Sequence, residues 1–154
     1  VYSLCALLGD SSYLKSRLAE VSGTRVIDLQ GGLGMVPLSE SLLREIQREW
    51  RGSESSTHVA GVFEFLTPPV ENWVRALSTG SALAYMETEY FGGEGFERSA
   101  VFRDSSVVLG PLDGAGAVNR ALRALGIAAK PGQEEFDVVG LGRHRSLEEW
   151  LSEA

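Results

Sequence analysis

The chain has 154 residues, 44% of them hydrophobic, which suits one globular domain that buries a core without a disulfide or metal staple. Its 14 basic and 21 acidic residues give a formal charge of −7. That surplus argues against nonspecific nucleic-acid binding and against an anionic membrane surface, which both need a basic face, and it suits a basic protein partner. No run is long and apolar enough to cross a bilayer as a helix. The single cysteine, Cys5, excludes an internal disulfide. Because it lies in an apolar run, it reads as a packed thiol in a reducing, cytoplasmic compartment.

Tyr2–Leu8 is a short continuous apolar run, the pattern of a strand covered on both faces. Val1 to Gly9 lacks the basic n-region of a signal peptide. Asp10, Ser11 and Ser12 offer caps for a first helix with Leu14, Leu18 and Val21 inward, stopped by Gly23. Thr24–Gln30 reads as a strand, and Gly31-Gly32 as a hairpin turn into a strand over Leu33–Leu38. A second helix is predicted from Ser39 to Trp50, with Leu42, Leu43, Ile46 and Trp50 on its apolar stripe and Glu40 facing Arg44 on its wet side. Arg51–Thr57 reads as a polar loop, and Val59–Leu66 is ambiguous between strand and loop.

Thr67-Pro68 is a good helix start, followed by Val70, Trp73, Val74 and Leu77 at helical spacing and by Gly80 as a stop. Ala82–Phe91, Phe96–Arg103 and Ser106–Leu109 form a predicted three-stranded meander, turning at 92–95 and at Asp104-Ser105. A helix from Asp113 to Leu125 turns Val118, Ala121 and Leu122 inward and ends at Gly126. Phe136–Leu141 reads as a short strand. Ser146 and Glu149 form a capping box for a last helix carrying Trp150. These elements predict a single α+β domain over residues 1–154, a largely antiparallel sheet with a meander in its C-terminal half and about five packed helices.

The catalytic signatures mostly fail. The chain contains no nucleophile elbow, no phosphate-loop motif, no His-Glu-x-x-His and no Cys-x-x-Cys, and its two histidines, His58 and His144, lie far apart. Gly31-Gly32-Leu33-Gly34 follows a strand but leads into Met35-Val36-Pro37, another strand, where a dinucleotide loop would open a helix. No cofactor, metal ligand set or catalytic residue is assigned.

Two features carry candidate chemistry. Glu87 and Glu89, two apart on one strand, share a face; Glu94 lies in the turn and Glu97 on the returning strand, with Tyr90 and Phe91 beside them. Such carboxylates can form a solvated sheet face, hold a cation, act as an acid/base pair, or steer a basic partner toward apolar anchors. On the partner-binding reading, replacing Glu87 and Glu89 by Lys weakens binding and leaves the fold intact. The second feature is Arg143, His144 and Arg145 just before a helix start, read either as an anion site or as a turn whose arginines pair with Asp137 or the acidic hairpin.

The segments Ala84-Tyr85-Met86-Glu87-Thr88-Glu89-Tyr90-Phe91-Gly92-Gly93 and Phe136-Asp137-Val138-Val139-Gly140-Leu141-Gly142-Arg143-His144-Arg145 resemble a group of small uncharacterised bacterial proteins, some of which look like immunity proteins of polymorphic-toxin systems. The resemblance covers the C-terminal half. It implies a cytoplasmic, non-enzymatic inhibitor that occludes the active site of a cognate toxin domain. The residues then predict that Glu87, Glu89, Tyr90, Phe91, Glu94 and Glu97 meet a basic cleft, with no nucleic acid and no membrane as partner. The alternative is a small enzyme or ligand-binding domain that recognises an anionic small molecule through Arg143, His144 and Arg145, with Asp137 or Glu87 as its acid/base group.

Overall fold

A computed structural model describes residues 1–52, 59 and 62–153. Its centre is β1 (Tyr2–Asp10), in a six-stranded sheet of order β2-β3-β1-β4-β5-β6 in which every pairing is antiparallel. The other strands are β2 (Ile27–Asp28), β3 (Leu33–Pro37), β4 (Leu83–Phe91), β5 (Glu94–Arg103) and β6 (Ser106–Asp113). The described residues form six α-helices: α1 (Ser11–Leu18), α2 (Glu40–Glu49), α3 (Pro68–Leu77), α4 (Ala117–Ala124), α5 (Glu135–Val139) and α6 (Leu147–Leu151). The α+β class and the antiparallel sheet are those the sequence predicts.

Alternation along the strands divides the core in two. Leu7, Val36, Leu83, Tyr85, Ala100 and Phe102 point to one face, where α1, α2 and α3 cover them with Leu14, Leu42, Ile46, Val70, Trp73 and Val74. Leu4, Ala6, Leu8, Met35, Ala84, Met86 and Val101 point to the other, under Val118 and Leu122 of α4, Val139 of α5 and Trp150 of α6. A strand buried on both sides has no wet face, which is why Tyr2–Leu8 carries no polar alternation. Each fully buried large side chain here contributes about 1.5–3 kcal/mol of transfer free energy.

Local signals set several boundaries. Asp10 caps α1 by accepting from the Tyr13 N–H at 2.9 Å, and Ser39 caps α2 by accepting from Leu42 at 3.1 Å. Thr67 stands at the N-cap of α3, but its side chain makes no capping hydrogen bond. Asp104 and Ser105 both take positive φ, the conformation that a tight two-residue hairpin demands.

Three expectations are corrected. Thr24–Gln30 contributes only the two-residue β2, Ile27 and Asp28 pairing with Met35 and Gly34, because the chain turns at once: Leu29 N–H bonds the Leu33 carbonyl at 2.8 Å and Gln30 opens a 3-10 turn. Phe136–Leu141 is no strand: Glu135–Val139 is helical, and Gly140 at φ 85° ends the turn before a short 3-10 segment at Leu141–Arg143. Glu94 and Gly95 belong to β5, so Gly92-Gly93 alone makes the turn. At Val59–Leu66 the described residues are not strand, and the readings of 53–58, including His58, lie outside the described residues.

Candidate functional site

The β4–β5 hairpin brings some of the candidate carboxylates to the surface and removes one. Glu87 is 2% exposed. One oxygen accepts from the Glu64 backbone N–H at 2.8 Å; the other accepts from Phe65 N–H at 2.7 Å and from the Tyr85 hydroxyl at 2.5 Å. Glu87 therefore holds the 64–65 segment against the sheet. It is not a surface charge, and the expectation that it meets a partner is corrected. Tyr85 in turn lies 3.4 Å from the Cys5 sulfur. Burial pushes the Cys5 thiol up to about 12, which disfavours its thiolate, and burial likewise carries the Tyr85 hydroxyl far above the ordinary tyrosine range.

Glu97 points to the opposite face of the sheet. Its carboxyl accepts from the Tyr90 hydroxyl at 2.6 Å and from the Val118 backbone N–H at 3.0 Å. Helix α4 begins after Gly116, which has no side chain to cap it, so Glu97 supplies that cap from the neighbouring strand. Desolvation, with the hydrogen bond to Glu97 behind it, pushes the Tyr90 hydroxyl up to about 12.

Glu89 and Glu94 are exposed and form no ion pair among the described residues. Between them Phe91 is 72% exposed, the most exposed large aromatic of the described chain. A two-residue Gly92-Gly93 turn, both glycines at positive φ, carries this tip. Arg98, opposite Glu87 in register, stacks on Phe96 at 4.1 Å and reaches Asp113 at 3.4 Å. Among the described residues no group of three or more His, Cys, Asp or Glu could hold a metal ion.

The arginine–histidine cluster is split. Arg143 makes a bidentate pair with Glu153, at 3.0 and 2.7 Å, and lies over the Trp150 ring; His144 bonds the same carboxyl at 2.7 Å and packs edge-on against Trp150. Burial works against ionisation of Glu153, yet its hydrogen bonds to His144 and Arg143 hold it below the ordinary glutamate range. Arg143 is thus paired with Glu153, which His144 also hydrogen-bonds; the exposed Asp137 has no part in it. Arg145 points elsewhere. It makes no side-chain hydrogen bond or ion pair among the described residues and lines a cleft of about 270 Å³ with Tyr2, Tyr90, Gly92, Gly93 and Phe136.

The Arg145 cleft lies beside the turn of the hairpin, so residues of the two segments 84–93 and 136–145, far apart in sequence, meet there. Sequence reasoning missed Tyr2, Asn119 and Glu153. It also missed the helix at Glu135–Val139, for which a local signal existed: acidic residues in a first turn and Gly140 after the last. Comparison with protein-family models, with curated proteins and with solved structures returned no match for the chain.

Proposed function

We propose that this chain is a non-enzymatic, protein-binding inhibitor, an immunity protein that neutralises a bacterial toxin domain in the cytoplasm by covering its active site. The observation that carries the reading is Phe91, 72% exposed at the hairpin tip between the carboxylates of Glu89 and Glu94, which form no ion pair among the described residues. An aromatic ring on a short turn contributes a large apolar contact at little conformational cost, and flanking carboxylates steer it to a basic cleft. Tyr90 and Glu97 support the tip from behind by their mutual hydrogen bond. The net charge of −7 suits a basic partner and so favours the same reading. A toxin that acts on nucleic acid presents a basic cleft, and the carboxylates then stand in for substrate phosphates.

Affinity capture from cells that make the protein tests this, with a Phe91→Ala/Glu89→Lys/Glu94→Lys variant as control. The expected result is a stoichiometric partner, bound by the parent chain and lost by the variant, whose activity stops on binding. Equal capture by both chains would remove the hairpin tip from the interface. A bound partner that stays active would remove the inhibitor reading.

A further inference from the structure

Behind the exposed tip, on the face covered by α4 and α5, lies a cleft that the protein-binding reading leaves unused. Tyr2 and Tyr90 are direct cross-strand neighbours in the β1–β4 register and form its floor. Phe136 closes it, edge-on to Tyr2 with ring centroids 5.4 Å apart. Both tyrosines are tied down by their hydroxyls, Tyr2 donating to the Leu141 carbonyl at 2.8 Å and Tyr90 to Glu97 at 2.6 Å. The apolar walls are therefore set before anything binds, which lowers the entropic cost of binding.

The polar groups are divided between the two ends. At one end Arg145 is a cation without a partner among the described residues, and no carboxylate lines that part of the cleft. A second cavity of about 340 Å³ shares these three aromatic residues as lining and is bounded further by Thr88, Asn119, Glu97 and Glu134, so the two lie side by side along the rings. Both Glu97 oxygens already accept hydrogen bonds, and the Asn119 carbonyl oxygen accepts from Phe136 N–H at 2.8 Å. Glu134 is exposed at that rim. The first end attracts an anion, and the second, with two carboxyl groups, repels one and attracts a donor.

We propose that this cleft binds a small aromatic acid: its ring against Tyr2, Tyr90 and Phe136, its carboxylate on the Arg145 guanidinium, and an amino or hydroxyl group directed to the Glu97–Glu134 end. Size, ring walls and opposed polarity together select this class over a simple anion, which has nothing to fill the aromatic section, and over a dianion, which meets the carboxyl end.

The test is titration of the intact chain with 4-aminobenzoate, 4-hydroxyphenylacetate and L-tyrosine, followed by amide shifts in two-dimensional NMR. Benzoate, benzene-1,4-dicarboxylate and inorganic phosphate serve as comparisons. Saturable 1:1 shifts are expected at Gly92, Gly93, Gly142 and Asn119 with at least one of the first three probes, and weaker ones with the comparisons. Arg145→Gln should raise the dissociation constant about tenfold or more, the loss of one charge-assisted pair. Arg44→Gln, an exposed position on α2 over the opposite face of the sheet, should change nothing. The proposal is overturned if none of the first three probes gives saturable shifts at about 10 mM, where a millimolar complex is nearly full. It is equally overturned if Arg145→Gln binds as the parent does, or if the dianion binds best. Because no protein partner enters the experiment, its failure leaves the hairpin-tip interface unaffected.

Discussion

Glu87 offers the sharpest test of how the chain holds together. Its carboxyl is the shared acceptor for two backbone N–H groups, of Glu64 and Phe65, and for the Tyr85 hydroxyl. Glu87→Ala leaves all three donors without that acceptor inside a nearly closed site. A buried donor stripped of its partner costs about 1–3 kcal/mol. The side chains of Glu64 and Phe65 are exposed, so their segment can lift and hydrate its own amides, which recovers part of the loss. The net expectation is a destabilisation of about 2–4 kcal/mol, or a Tm lower by roughly 5–15 °C for a domain of this size. Glu87→Gln keeps the shape but turns an NH₂ toward one of the two amides, for about 1–2 kcal/mol. Urea unfolding followed by tryptophan fluorescence gives the stability, and amide exchange at Glu64 and Phe65 gives the local effect. Both variants within about 0.5 kcal/mol of the parent, the range of an ordinary surface change, would refute the reasoning. So would unaltered exchange at those two amides. Glu87→Lys, which the sequence alone presents as harmless to the fold, is expected to unfold the β4 region, because a buried ammonium would face two N–H donors.

Four further outcomes are expected. Gly95→Ala should disrupt the hairpin, since Gly95 has φ +153° and an added Cβ would lie 1.8 Å from the Glu89 carbonyl oxygen; a cost of about 3 kcal/mol or more is expected from denaturation, and a change under about 1 kcal/mol would contradict it. Glu97→Ala should cost about 1–2 kcal/mol by uncapping α4, with faster amide exchange at Val118, while Glu97→Gln retains an acceptor and loses less; equal losses would argue against the capping role. In a spectrophotometric titration Tyr2, Tyr85 and Tyr90 should stay neutral through about pH 11 while the fold persists, because burial raises all three above the free tyrosine value. Glu153 sits below its ordinary value of 4.5, so its contribution is present above that pH and is lost as pH falls through the lower folded value. Its side-chain carboxyl carbon should titrate with a midpoint under 4.5, and a midpoint at or above it would contradict the Arg143–Glu153–His144 arrangement.

The sequence by itself determined the elements whose signals are local. The apolar run at Tyr2–Leu8, the cap at Asp10, and the stripe of Val70, Trp73, Val74 and Leu77 all depend on neighbours a few residues away, and each is where the pattern puts it. Strand parity also placed Glu87 and Glu89 on one face. What parity cannot say is what lies over that face. Only the tertiary structure brings the 64–65 segment down on Glu87, twenty-odd residues away, and leaves Glu89 one step further out in water. The arginines divide for the same reason. Arg143, His144 and Arg145 are consecutive, yet Glu153 takes the first two and the cleft beside Tyr90 receives the third. Charge and period are properties of the chain; which charge is neutralised, and which keeps its field for a partner, depends on long-range contacts that no short window of sequence contains.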